Sequence, residues 1–114
     1  MIHVDVFKDK KNNIVKYIIY GHSGYAKVGS DIVCAAVSSV SQSAVLGLTR
    51  VLNIQVGLEV RESMKEPYLE CVLPQELSAD LREKANIILE TMLLTLREFE
   101  EQYRKYIRIL EQEV

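Results

Sequence analysis

Apolar and polar residues alternate from the start of the chain. Ile2, Val4 and Val6 are interleaved with His3, Asp5 and Phe7, the period-two pattern of a half-buried strand. After the polar stretch Lys8 to Asn13, a second alternating segment runs through Val15, Tyr17 and Ile19, so the spacing predicts a β-hairpin turned at Asn12-Asn13. Residues 21 to 30 follow neither period and hold three of the five glycines, Gly21, Gly24 and Gly29, which predicts a flexible loop. Steps of three and four then connect Val33, Val37, Val40, Ala44, Leu48 and Val51. This is a helix, capped by Ser30 or Asp31 and ending near Asn53. Val56, Leu58 and Val60 alternate again, and a turn across Ser63 to Pro67 leads into Tyr68 to Leu73, a second hairpin closed by Pro74. From Leu77 onward the pattern is helical: Leu81, Ala85, Ile88, Met92, Leu96, Phe99, Tyr103, Ile107 and Leu110 share one face.

The order ββαββα predicts an α+β two-layer sandwich, a mainly antiparallel four-stranded sheet with both helices on one face. The 114 residues suit one core and a single domain over 1–114. The last helix creates a size conflict: residues 77 to 112 would span about 54 Å at ~1.5 Å per residue, against a diameter of roughly 34 Å for a compact chain of this length. Either the helix breaks, or it overhangs and buries its stripe against a second copy. Phe99, Tyr103, Tyr106 and Ile107 suit such an interface, and a homodimer is the expectation.

With 48% hydrophobic and 26% charged residues, the composition is that of a soluble globular protein. The longest apolar run, Ile32 to Val37, is six residues, where a membrane span needs about twenty. The first residues lack the basic start and apolar stretch of a signal peptide, so the expected location is cytoplasmic. Fourteen basic against sixteen acidic residues and a pI near 5.7 disfavour direct nucleic-acid binding, for which a domain pI above ~9 is the usual mark.

Two cysteines, Cys34 and Cys71, and two histidines, His3 and His22, bound the chemistry. No CxxC or HxxxH spacing occurs, so neither a metal nor a cofactor is expected. Cys34 falls in the first turn of the first helix, where unpaired N–H groups and the helix dipole favour a thiolate. The same N–H groups are candidate donors to a tetrahedral oxyanion. His22 ends the second strand, and the glycine-bearing loop can return it to the sulfur as general acid and base; equally, Cys34 can simply pack and His22 can be solvated. Asp31 can orient His22 or serve only as the helix cap. Ser38, one turn after Cys34, can reach the sulfur or an oxyanion, or belong with Ser39, Ser41 and Ser43 to a polar flank. Gly24-x-x-x-x-Gly29-Ser30 is close to a phosphate-binding P-loop, but Ser30 stands where that motif needs lysine. Cys71, inside a strand, reads as a small hydrophobe.

The stretch from Gly21-His22 through Gly29-Ser30-Asp31-Ile32-Val33-Cys34-Ala35-Ala36-Val37-Ser38 resembles the ribosomal-processing cysteine protease family, Prp. Its pattern is Gly-His, a loop, then Gly-x-Asp-Ile-Val-Cys-Ala-Ala-Val-Ser. Length and element order agree, while Ser23 stands where family members often have alanine. The resemblance implies that His22 and Cys34 are the catalytic pair. It implies a substrate too, the N-terminal extension of bacterial large-subunit ribosomal protein twenty-seven, removed after an aromatic residue, and it also suggests a homodimer. The competing expectation is a non-catalytic ribosome-associated binding or assembly module in which Cys34 only packs.

Overall fold

The computed structural model describes residues 1–22, 24–27, 31–62 and 66–114. Strands β1 (Ile2–Lys8) and β2 (Ile14–Tyr20) form the first hairpin, with Val4 opposite Ile19 and Val6 opposite Tyr17. Asp9 organises its turn: Oδ1 accepts the backbone N–H groups of Lys11 and Asn13, each at 2.9 Å, and Oδ2 accepts the Asn13 side-chain amide at 3.0 Å. Asn12 takes the left-handed φ of 68°, which asparagine tolerates well. A register shift between Phe7 and Lys8 puts Ile14, not Val15, into the core.

The chain continues through α1 (Ile32–Leu46), a π-helical turn (Gly47–Val51), β3 (Gly57–Arg61), β4 (Tyr68–Val72), α2 (Ala79–Gln102) and β5 (Ile107–Glu113). Val33, Val37, Ser41, Ala44 and Leu48 form the buried side of α1 and its extension. Val51, expected inward, is 74% exposed. The π turn, closed by Leu52 N–H to the Gly47 carbonyl at 3.0 Å, shifts the helical phase there. The run Ile32–Val51 is long and apolar enough, by length and composition, to cross a membrane. In this fold it is the core helix laid on the sheet.

The sheet corrects the four-stranded expectation. It has five strands in the order β3-β4-β2-β1-β5 and is mixed, because β5 runs parallel to β1. The helix expected over 77–112 stops at Gln102; Tyr103 leaves helical geometry at φ −129°, ψ 48°. Ile107 and Ile109 then turn inward at 1% and 5% exposure, beside Ile2 and Val4. A continuous helix of about 54 Å would overrun the 43 Å long axis of the molecule and leave the β1 edge unpaired. Phe99, Tyr103 and Tyr106, marked above as anchors for a second copy, pack against this chain's own core. The overhang that suggested a partner is thus replaced by a strand.

Both helices are crossovers between parallel strands: α1 joins β2 to β3, and α2 joins β4 to β5. They share one core with the sheet, built from Val4, Val6, Tyr17 and Cys71 below and Val37, Leu48, Leu89 and Leu96 above. Truncating a leucine such as Leu89, fully buried, to alanine costs about 2–5 kcal/mol. The β2 to α1 crossover matters most for chemistry, since it sets the end of β2 near the start of α1.

Candidate active site

His22 leaves the sheet one residue beyond a fixed corner. Gly21 has φ 92°, and its N–H donates to the Pro67 carbonyl at 3.2 Å. A Cβ there would lie 2.5 Å from the Met1 carbonyl oxygen, so only glycine fits. Gly21, expected as part of a flexible loop, is a tight corner packed against Met1 and Pro67, the residues that precede β1 and β4. Gly24 has φ 74° and open space around its Cα. Gly29 lies outside the described residues, as do Ser23, Val28 and Ser30. Tyr25 packs edge-on against Tyr103 and Tyr106, with centroids 5.8 and 5.2 Å away, tying this segment to the connection between α2 and β5.

Asp31 begins α1. Its Oδ1 accepts the backbone N–H groups of Val33 and Cys34, both at 3.0 Å, and its carbonyl accepts that of Ala35 at 3.1 Å. It is an N-cap in full. The amides of Val33 and Cys34, expected as oxyanion donors, are therefore given to the cap. Cys34, half-buried in this first turn, holds its thiol close to the positive end of the helix.

Cys34, His22, Gly21 and Ser38 line one groove of about 480 Å³ between α1 and the β3 end of the sheet. Asp31, the N-cap of α1, and Gly24 are both outside the groove lining. The floor is apolar. Leu58 and Val60 lie on the helix side of the sheet, opposite Cys71 and Leu69, yet they are 48% and 50% exposed. Strand β3 extends past the cover that α1 provides. The alternation of Leu58 and Val60 signalled a buried strand, so sequence reasoning missed them as groove floor. It also missed Gln42, which lines the groove two turns after Cys34 and donates from Nε2 to Ser38 Oγ at 2.7 Å. Their i, i+4, i+8 spacing was the available signal.

The second thiol has a different character. Cys71 is fully buried, and burial pushes it up to about 11, with hydrogen bonding between its thiol and the Tyr17 hydroxyl only partly opposing the effect. Tyr17 donates its hydroxyl proton to the Ser41 carbonyl at 3.0 Å, and burial raises it well above the usual phenol range. Ser41, a polar-flank candidate by its sequence position, is buried, its Oγ donating to the Ser38 carbonyl at 3.1 Å. Among the described residues, no three His, Cys, Asp or Glu side chains gather to hold a metal ion.

Comparison with known proteins gives this geometry a context. Residues 1–108 match the family model described as cysteine protease Prp. The ribosomal processing cysteine protease Prp of Bacillus subtilis is 28% identical over 109 residues, covering 96% of each chain. That of Staphylococcus aureus (strain NCTC 8325) is 30% identical over 112 residues, covering 96% of this chain and 97% of its own. The crystal structure of the S. aureus protease with a covalently linked product peptide superimposes with a TM-score of 0.85 at 25% identity, over 97% of this chain and 99% of that one. A Streptococcus mutans crystal structure superimposes at 0.84 with 25% identity, over 100% of this chain and 96% of its own. An apolar groove with a helix-start cysteine and a strand-end histidine thus sits in a chain whose sequence and fold match that family over nearly their whole length: the protein belongs to the Prp cysteine proteases of ribosomal processing.

Proposed function

We propose that Cys34 is the nucleophile and His22 the proton-transfer group of an endopeptidase that removes the N-terminal extension of large-subunit ribosomal protein twenty-seven. The observation that carries this reading is the placement of both side chains on one apolar groove, from opposite ends of the β2 to α1 crossover. His22 takes the Cys34 proton, and the thiolate attacks the scissile carbonyl carbon. The tetrahedral intermediate collapses, the C–N bond breaks, and His22 gives its proton to the leaving amine. Water, deprotonated by His22, then cleaves the thioester to a carboxylate and restores the thiol. With the Val33 and Cys34 amides committed to Asp31, the Ser38 hydroxyl in the groove wall is our choice of donor to the oxyanion.

The apolar floor of Leu58 and Val60 suits an aromatic residue next to the cut, and the S. aureus relative has been crystallised with a substrate peptide. Incubating the protein with a peptide spanning the start of that ribosomal protein, followed by mass spectrometry, tests the assignment. Cleavage is expected after the aromatic residue and is lost in Cys34→Ser. Cleavage by Cys34→Ser, or an intact peptide with wild-type protein, refutes it.

The same reading sets the protein in the cytoplasm, in keeping with two cysteines that form no disulfide; recovery in a membrane or secreted fraction would count against it. It also includes a homodimer, supported by Ile87 and Leu94, 64% and 66% exposed and two turns apart on α2. Light scattering that finds only a 13.0 kDa species would remove the dimer.

A further inference from the structure

We propose that Gln42 is a positioning residue for peptide cleavage, acting through Ser38; the proposal rests on the peptidase reading above. Cys34, Ser38 and Gln42 follow at i, i+4 and i+8 on α1, and all three line the groove. Each step is about 6 Å along the axis, so Gln42 stands roughly 12 Å from Cys34 and does not touch the reacting atoms. Helical side chains lean toward the N-terminus. The Ser38 hydroxyl therefore covers the turn on the Cys34 side, and the Gln42 amide covers the turn occupied by Ser38.

The direction of the Gln42 to Ser38 bond is what makes it consequential. A hydroxyl has one proton and two lone pairs. By donating from Nε2 to Ser38 Oγ at 2.7 Å, Gln42 occupies a lone pair and keeps the Ser38 proton from turning back along the helix. That proton is directed toward Cys34, where negative charge resides on the thiolate and then on the carbonyl oxygen of the tetrahedral intermediate. The bond also polarises the hydroxyl and strengthens it as a donor. A donor at this place matters because Asp31 has taken the two nearest helix amides.

Steady-state kinetics on the ribosomal peptide tests this with Ser38→Ala, Gln42→Ala, Gln42→Glu and the Ser38→Ala/Gln42→Ala double variant. Gln42→Glu is the decisive one. It preserves size and shape but offers only acceptor oxygens, so the Ser38 proton turns toward it and away from Cys34. We expect Ser38→Ala and Gln42→Glu each to lower kcat about a hundredfold, the scale of one lost oxyanion donor. Gln42→Ala, which frees the hydroxyl without capturing its proton, should lower kcat about tenfold, a fraction of that same loss. KM should hold in all three, and the double variant should be no slower than Ser38→Ala. Gln42→Met, which fills the space without a donor, should behave like Gln42→Ala and so separates the lost hydrogen bond from lost packing. Losses that add in the double variant, a change confined to KM, or a Gln42→Glu variant with normal kcat would overturn the proposal while leaving Cys34 and His22 in place. A fully active Ser38→Ala removes both Ser38 and Gln42 from the mechanism. Cleavage by Cys34→Ser, or a peptide left intact by the wild-type protein, reaches further and removes the peptidase reading itself.

Discussion

The Asp31 carboxylate meets the backbone amide of Cys34 at 3.0 Å, through the same oxygen that accepts from Val33. The residue beside the candidate nucleophile is thus bound to its main chain, and the position of the thiol depends on a helix cap. Asp31→Ala should cost about 1 kcal/mol, a fall in Tm of about 3–6 °C for a domain of this size, and should slow cleavage by loosening the first turn. Asp31→Asn retains a capping oxygen and should keep both stability and rate. Thermal unfolding and peptide turnover measured on the pair decide the matter: slow cleavage by a stable Asp31→Asn would show that the site needs the charge as well as the cap.

Cys71 should be silent. It is fully buried and its thiol is pushed up to about 11, so iodoacetamide at pH 8 should label Cys34 alone in the folded protein. Cys71→Ser should retain turnover but lose about 1–3 kcal/mol by placing a hydroxyl in an apolar site. Peptide mapping after alkylation and urea unfolding provide the two measurements. Loss of turnover in a folded Cys71→Ser would mean that the wrong thiol had been chosen.

Strand β5 is held by a charged cluster whose contribution depends on pH. Hydrogen bonds from Arg97 and then Lys8 hold the Glu111 carboxyl below the usual carboxylate range; Lys8 also reaches Glu90 at 3.3 Å. A lowered folded-state pKa stabilises at pH values above the ordinary carboxylate pKa of about 4.3, and that stabilisation is lost as pH falls through the lowered value. Wild type and Glu111→Gln should therefore differ in stability above about pH 5 and converge in stronger acid. Parallel stability curves across that range would mean that the carboxylate contributes nothing to holding β5.

The first hairpin and the start of α1 were legible because local chemistry decides them. Alternation at Ile2, Val4 and Val6, turn residues at Asn12-Asn13 and a capping Asp31 all act within a few residues of one another. Strand β5 was not legible for the opposite reason. Ile107 and Leu110 continue the helical stripe of α2, and no glycine or proline separates Gln102 from Ile107. What makes 107–113 a strand is the vacant edge of β1, about a hundred residues away along the chain. The groove was hidden by the same kind of dependence. Leu58 and Val60 have the pattern of buried residues, and their exposure follows only from where α1 stops covering the sheet. Cys34, His22 and Ser38 could be singled out from residue type and position, whereas Gln42 entered only once its bond to Ser38 was visible.

The parallel pairing of β1 with β5 has a practical side for anyone handling the protein. Ile2 is part of the groove wall and the Met1 carbonyl lies against Gly21, so an affinity tag or fusion partner joined ahead of Met1 starts beside the site. The other terminus leaves from the far end of the same strand pair, where the Val114 N–H meets the Lys8 carbonyl at 2.9 Å. Seven residues of strand at about 3.3 Å each separate the two, so immobilisation through Val114 leaves the groove facing solution.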